Sequence, residues 1–362
     1  MALWYMDSFD TYVTANLGQK FAAFSGSGLS LQANGRTGVQ ALNALVNSLS
    51  GVNAFPNATI KGLNMVVPVG GVLQWWIGAA ILIPAGFLST AAYYVHPWLF
   101  NQLGGAQGLG MQIRGDGSIL NSFTNATAPA GTFQFGVWQY IEMQVTVNQA
   151  AMTIEVTIFV NDIQVADGTA TAATLPTNVT SCQIGIPNSS TGSTTPPVGT
   201  YLLMDDFYLC DNTGAFTNSR CGDVDVFEGL PAGPGRVNGV WGNNGAGGAQ
   251  NWQNCNQNPP VTTSYITDAT AGDEECFVMT PPSGPASEVL AMQVSVLAQK
   301  SSASGNRVLA AGIGNGSAEG MNPGQALTNA WQFYIYPFSN DPVSGGAFDP
   351  TITYQAAVQT TT

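Results

Sequence analysis

The sequence predicts an all-β protein, and three observations carry that expectation. Only 8% of the 362 residues are charged, where an ordinary globular chain has about 25%, so polarity falls to Gly, Ser, Thr, Asn and Gln. Gly (43) and Pro (20) supply many turns, which suits short strands and is poor material for helices. Apolar and polar residues alternate with period two at several places along the chain. With 45% hydrophobic residues the chain can bury real cores and does not read as disordered.

The clearest element is a hairpin in "WQYIEMQVTVNQAAMTIEVTIFVND". Ile141, Met143, Val145 and Val147 alternate with Glu142, Gln144 and Thr146. Beyond a polar turn near Asn148, Met152, Ile154, Val156, Ile158 and Val160 alternate with Thr153, Glu155 and Thr157. Two such runs around a short turn make an antiparallel pair with one apolar face. Further strands are expected at 63–68, 73–83, 109–114, 182–186 and 201–210. One short helix is expected between Val39 and Ser48, where "VQALNALVNSL" has loose helical periodicity.

From 229 to 263 the texture changes to Gly, Asn and Gln, with Val237, Trp241 and Trp252 as widely spaced apolar anchors. This stretch reads as an ordered connector wrapped over a surface, with Trp241 and Trp252 as interface anchors. Strand texture returns in "SEVLAMQVSVLAQK", "RVLAAGIG" and "WQFYIYPF". The expected organisation is a β-sandwich over 1–228, the connector over 229–263, and a small β-sandwich domain over 264–362.

Charge excludes several partners. A net charge of −13 with eight scattered Lys and Arg residues leaves no basic patch for phosphates, so neither nucleic acid nor an anionic membrane surface is an expected partner. The uncharged run from Leu63 to Leu88 is interrupted by Pro68, Gly70, Gly71, Gln74, Pro84 and Gly86, and reads as core strands rather than a membrane span. The N-terminus, "MALWYMDSFD", lacks the features of a secretory signal. Five cysteines form no CxxC pair and His96 is the sole histidine, so no zinc site and no cofactor are expected. The thiols are expected to be reduced in a cytoplasm, the odd count leaving room for one bond between subunits.

The segments "MDSFDTY", "WQYIEMQV", "VNDIQV" and "YLLMDDFYLCDNTG", in that order, resemble the concanavalin A-like or laminin-G-like jelly roll. The run from "MDDFYLCDNTGAFTNSRCGDV" through "NWQNCNQNPPVTTSYITDATAGDEECFVM" to "EVLAMQVSVLAQK" is similar to a family of tailed-phage virion proteins that join a laminin-G-like domain to a second β domain. The similarity covers nearly the whole chain, is concentrated between 204 and 300, and is diffuse before residue 60. Asp225 in "GDVDV" departs from it, standing where a basic residue is expected. The resemblance implies a structural role in a virion, with other virion proteins as partners; a homo-oligomer, with a trimer as one closed arrangement, is expected on symmetry grounds alone. Head decoration and tail association both stay open.

Asp205 and Asp206 are the candidate site residues. Adjacent on a strand, they should point to opposite faces, which rules out the facing pair of glycoside hydrolysis. The E-x-D-x-x-E pattern of related jelly-roll glycosidases does not occur, and Glu142 and Glu155 stand on separate strands. The resemblance implies that such an acidic position holds a neighbouring loop, a reading preferred to a bound cation and more strongly to catalysis. Asp223 and Asp225 in "GDVDVFE" read as one face of a solvated edge strand, with cation binding as the alternative. "IGNGSAEG" and "GGAQGLG" lack the phosphate-loop spacing and its lysine and read as turns. His96, before Pro97 in "YYVHPWLF", stands in no recognisable Ser or Cys catalytic pattern and reads as a core or loop residue. Trp75, Trp76, Trp98 and Trp138 are sugar-stacking candidates or core fillers. The chain is therefore expected to be a non-enzymatic building block of a virion, with binding of host-surface glycans as the alternative.

Overall fold

The computed structural model describes residues 2–25, 28–47, 55–86, 93–100, 109–121, 123–187, 196–214, 219–244, 250–282, 287–302 and 305–361. The chain divides into two compact units, with the main boundary between Val226 and Phe227. Both are built almost wholly of antiparallel strands.

The first unit contains β1 (Ala2–Asp7), α1 (Leu17–Lys20), β2 (Ala23–Ser25), β3 (Leu29–Ala33), β4 (Gln40–Leu45), β5 (Asn57–Thr59), β6 (Met65–Val66) and β7 (Val72–Leu82). These are followed by β8 (Tyr94–Val95), β9 (Trp98–Phe100), β10 (Leu109–Gly110), β11 (Gln112–Arg114), β12 (Ile119–Asn121), β13 (Ala126–Ala128) and β14 (Gln139–Asn148). The unit continues with β15 (Thr153–Val160), β16 (Ile163–Thr171), β17 (Asn178–Val179), β18 (Cys182–Gly185) and β19 (Tyr201–Asp211). An eight-stranded sheet runs β16-β15-β14-β7-β19-β4-β3, with β1 joined to β19, and a five-stranded sheet runs β10-β9-β18-β5-β2. The two large sheets make an antiparallel β-sandwich, and Trp75 on β7 meets Phe100 on β9 edge-on at 5.7 Å.

Alternation on β7 explains the layering. Leu73, Trp75, Ile77, Ala79 and Ile81 are all buried on one side of the strand. The even positions face the other side, where Trp76 and Ala80 join Tyr140, Tyr208 and Cys210 in a second apolar cluster. Each such side chain removed from water contributes about 1.5–3 kcal/mol. The hairpin β14–β15 keeps the expected register, Ile141 opposite Val160 and Val147 opposite Ile154. Its turn is closed by Asn148 Oδ1, which accepts from Ala151 N at 3.0 Å, with Met152 at φ 53°.

The helix expected between Val39 and Ser48 is a strand instead. Residues 40–45 form β4, wedged between β3 and β19, with Ala41, Leu42 and Ala44 buried. Pairing on both edges gives its backbone the partners that a helix would have supplied internally, with residues 40–44 on β3 and 42–45 on β19, so the tertiary ladder overrides a weak local period.

The second unit contains β20 (Pro231–Pro234), β21 (Gly242–Asn243), α2 (Asn251–Cys255), β22 (Ile266–Thr267), β23 (Glu274–Met279), β24 (Met292–Ala298), β25 (Val308–Gly314), β26 (Glu319–Met321), β27 (Gln325–Ala326), β28 (Gln332–Phe338) and β29 (Gln355–Thr361). A six-stranded sheet runs β20-β23-β29-β25-β26, with β27 also on β25, and β24 pairs with β28. The core gathers Phe277, Leu309, Ile313, Tyr334, Tyr336, Phe338 and Val358.

Residues 229–263 are not a connector laid over a surface. They supply β20 to the main sheet of the second unit and β21 to a small ladder with β22. Trp241 is 8% exposed inside that unit's own core, and Trp252 packs at its margin. The two tryptophans expected as interface anchors are thus internal anchors of this unit. Their hold is explicit: Glu275, on β23, is buried and accepts from the N–H groups of Gly239 (2.8 Å), Val240 (2.9 Å) and Trp241 (3.1 Å). A carboxylate taking three backbone donors can order a glycine-rich stretch that has little side-chain packing of its own. Among the described residues no helix is long and apolar enough to cross a membrane.

Candidate functional site: a carboxylate-clamped sheet face

The acids singled out by sequence meet on the outer face of the large sheet in the first unit. A regular β19 would send Asp205 and Asp206 to opposite sides. The pairing with β7 instead slips between Asp205 and Tyr208, and Asp206 takes a left-handed φ of 50°. Such a bulge inserts an extra residue and re-aims side chains, and Asp tolerates the left-handed region better than most residues. Both carboxylates consequently meet consecutive residues of one loop. Asp205 Oδ2 accepts from Arg36 N at 2.6 Å, and Asp206 accepts from Thr37 Oγ1 at 2.9 and 3.0 Å. The opposite-face expectation fails because it assumed an unbroken pleat.

Asp206 also holds the segment that follows β19. Its Oδ1 accepts from Val226 N at 2.9 Å, while Tyr140 Oη donates to its carbonyl at 3.0 Å. The Arg36 guanidinium lies 3.6 Å from Asp206 and 2.6 Å from Asp223, and 5.4 Å from the centre of the Tyr140 ring. Asp223 therefore does not lie on an edge strand with Asp225: residues 221–230 form no strand, and Asp223 is an ion-pair partner. The segment from Arg220 to Val226 is a strap across the sheet face.

Glu142 is the strap's second clamp, and sequence reading left it as an isolated acid. It is 1% exposed at the centre of β14. Tyr208 Oη and Gly222 N donate to its Oε1, the latter at 2.9 Å, and Arg220 pairs with its Oε2. Arg220 also reaches Asp162 at 2.7 Å and lies over the Phe159 ring at 4.4 Å. Gly78 makes this possible. It stands opposite both Glu142 and Tyr208 in the ladders, and a Cβ there would come within 2.4 Å of the Tyr208 ring. A glycine inside an apolar strand is the available sequence signal, since it marks a close approach.

Burial sets the electrostatics. It pushes the carboxyl of Asp205 up to about 7, helped by the neighbouring charge of Asp206, and that of Asp206 up to about 6. Glu142 is raised by burial against the pull of Tyr208, Arg220 and Gly222. The donors name what these acids do: every oxygen of Asp205, Asp206 and Glu142 faces at least one group of the chain itself.

A third clamp belongs to the "MDSFDTY" segment. Asp7 accepts from Tyr5 Oη (2.8 Å), Tyr12 Oη (2.9 Å) and Phe9 N (2.9 Å), and pairs with Lys20 at 3.4 Å, with both charged side chains 2% exposed. Asp10 accepts from Val39 N and Gln40 N at 2.8 and 2.7 Å and so fixes the start of β4.

The other candidates separate. His96 is buried, and burial lowers it to about 4, so it is a neutral core group at ordinary pH. Trp75, Trp76 and Trp98 are at most 2% exposed and fill cores rather than offering sugar-stacking platforms, while Trp138 packs at the margin of the outer-face cluster. "IGNGSAEG" runs from β25 into β26 through a turn in which Asn315 Oδ1 accepts from Ser317. Residues 104–108 of "GGAQGLG" lie outside the described residues. In the second unit Glu274, Cys276 and Glu319 could in principle hold a metal, their ligand atoms within 4.8 Å of one another. Arg236 already pairs with Glu274 at 3.1 Å and with Glu319, which supplies their positive charge.

Neither family models nor curated proteins match the chain. Among solved structures it is similar to an endo-1,3-β-glucanase from Streptomyces sioyaensis at 14% identity, covering 57% of this chain and 95% of that one with a TM-score of 0.37. It is similar to lectin II from Ulex europaeus at 14% identity, covering 58% and 100% with a TM-score of 0.35. An alginate lyase from Chlorella virus is 11% identical, covering 54% and 95% with a TM-score of 0.35. None of these similarities assigns a chemistry to the clamped face.

Proposed function

We propose that the chain is a structural component of a phage virion, acting through protein surfaces and catalysing no reaction. One structural observation supports a scaffolding role above the others: the acids of the outer sheet face are engaged in holding loop 35–37 and the 220–226 strap over that face. Carboxylates used in this way define a rigid shape. The phage assignment is supported by the sequence resemblance between 204 and 300. Quantitative mass spectrometry of purified particles tests it. Detection at a fixed copy number per particle is expected, with hundreds of copies meaning a shell component and a handful meaning the tail. Absence from particles that contain the rest of the virion, with a monodisperse monomer in solution, overturns it. A polysaccharide-depolymerase assay that turned positive would overturn the non-enzymatic part.

Host-surface glycan binding by the first unit is the second reading. Such a site would have to use groups other than Trp75, Trp76 and Trp98, which are core residues. A glycan array probed with the assembled protein decides it, and repeated null binding removes it.

A further inference from the structure

We propose that Cys210 and Cys221 form an intramolecular disulfide when the protein meets an oxidising medium, bonding the 220–226 strap covalently to β19. The pairing rests on geometry and is independent of the function proposed above. Cys221 lies between Arg220 and Gly222, and both of these bind the Glu142 carboxylate. The third partner of that carboxylate is Tyr208, two residues before Cys210 on β19 and therefore on the same strand face. Glu142 thus brings the chain on either side of Cys221 onto the stretch of β19 that carries Cys210. Cys221 packs against the cluster containing Trp76, Tyr140, Tyr208 and Cys210, which places both thiols in one apolar cluster.

The two sulfurs differ in a way that sets the order of reaction. Cys210 is fully buried and Cys221 half-buried. Burial, and then the neighbouring Cys221 thiol, push the Cys210 thiol well above its usual range. Cys221 is therefore the sulfur that meets the reagent. With glutathione disulfide as oxidant, the Cys221 thiolate attacks one glutathione sulfur. The glutathione S–S bond breaks, and one glutathione leaves as thiolate with the bonding pair. Cys210 then attacks Cys221 Sγ, its proton passing to the departing glutathione, which leaves as the second thiol. Two protein thiols are oxidised and one glutathione disulfide is reduced to two thiols.

The test uses the full chain, purified reduced and exposed to glutathione disulfide at mildly alkaline pH. Samples are acid-quenched, alkylated and mapped without reduction. The expected product is a peptide linking Cys210 to Cys221, with the intact mass lower by roughly 2 Da for the two lost hydrogens. In Cys210→Ser a glutathione adduct should accumulate on Cys221, and in Cys221→Ser position 210 should remain a free thiol. Circular dichroism checks that both variants are folded. A stable adduct on Cys221 in the unmodified protein overturns the proposal. So does a bond from Cys221 to Cys182, Cys255, Cys276 or a second chain, or recovery of both cysteines as thiols.

Discussion

The buried aspartates make the first unit more stable as pH falls through neutrality, the reverse of ordinary acid sensitivity. Asp205 titrates at about 7 in the fold against an ordinary 3.8. Between those values the folded chain holds a proton that the unfolded chain lacks. The contribution is therefore complete below 3.8 and is lost as pH rises through 7. From pH 8 to pH 6 it amounts to about 1 kcal/mol. Asp206, at about 6, adds a smaller contribution of the same sign over the same span. His96 opposes them, because its folded value near 4 lies below its ordinary 6.5, and it withdraws part of the gain. The perturbation that isolates the main contribution is Asp205→Asn. It removes the titration and sets an amide NH2 against one of the donors Arg36 N and Asp206 N, lowering stability at every pH by about 1–2 kcal/mol. The measurement is urea unfolding at fixed ionic strength at both pH values. Hydrogen exchange on peptides from β19 reports the first unit separately. The unsubstituted protein should gain about 1 kcal/mol more than Asp205→Asn on going from pH 8 to pH 6. Parallel pH profiles, agreeing within about 0.3 kcal/mol, would show that the carboxyl is already ionised in the fold and refute the reasoning.

Gly78→Ala should destabilise the first unit by about 1–3 kcal/mol, because its Cβ collides with the Tyr208 ring; hydrogen exchange at Gly222 should rise with it. Glu275→Ala should cost the second unit about 3 kcal/mol or more by leaving three backbone donors unpartnered, and tryptophan emission should shift red as Trp241 loosens. Lys20→Met should cost about 3–5 kcal/mol in calorimetry of the first unit, since Asp7 would keep its buried charge without a cation.

What sequence revealed and what it hid follow from the range of the interactions. The β14–β15 hairpin was legible because its pattern and its turn lie within one short stretch. β4 was misread because its partners, β3 and β19, are set by contacts as distant as Leu42 with Met204. Asp205 and Asp206 were found, but the bulge that turns both toward one loop depends on β7 and leaves no local trace. Glu142 was passed over because its partners Tyr208, Arg220 and Gly222 lie at least 66 positions away. Residues 229–263 looked like a connector since their order comes from Glu275, outside the stretch.

The ion pairs also decide what neighbouring molecules encounter. Of the eight Lys and Arg residues, Lys20, Arg36, Arg220 and Arg236 are committed to internal carboxylates, while Lys300 and Arg307 donate to main-chain carbonyls. Half of the cations are thus spent on the molecule's own acids, on a chain of net charge −13. Copies of such a molecule repel one another wherever acids face acids, so contact between them should favour amide, hydroxyl and hydrocarbon ground, and added salt, which screens the repulsion, should strengthen that contact rather than weaken it.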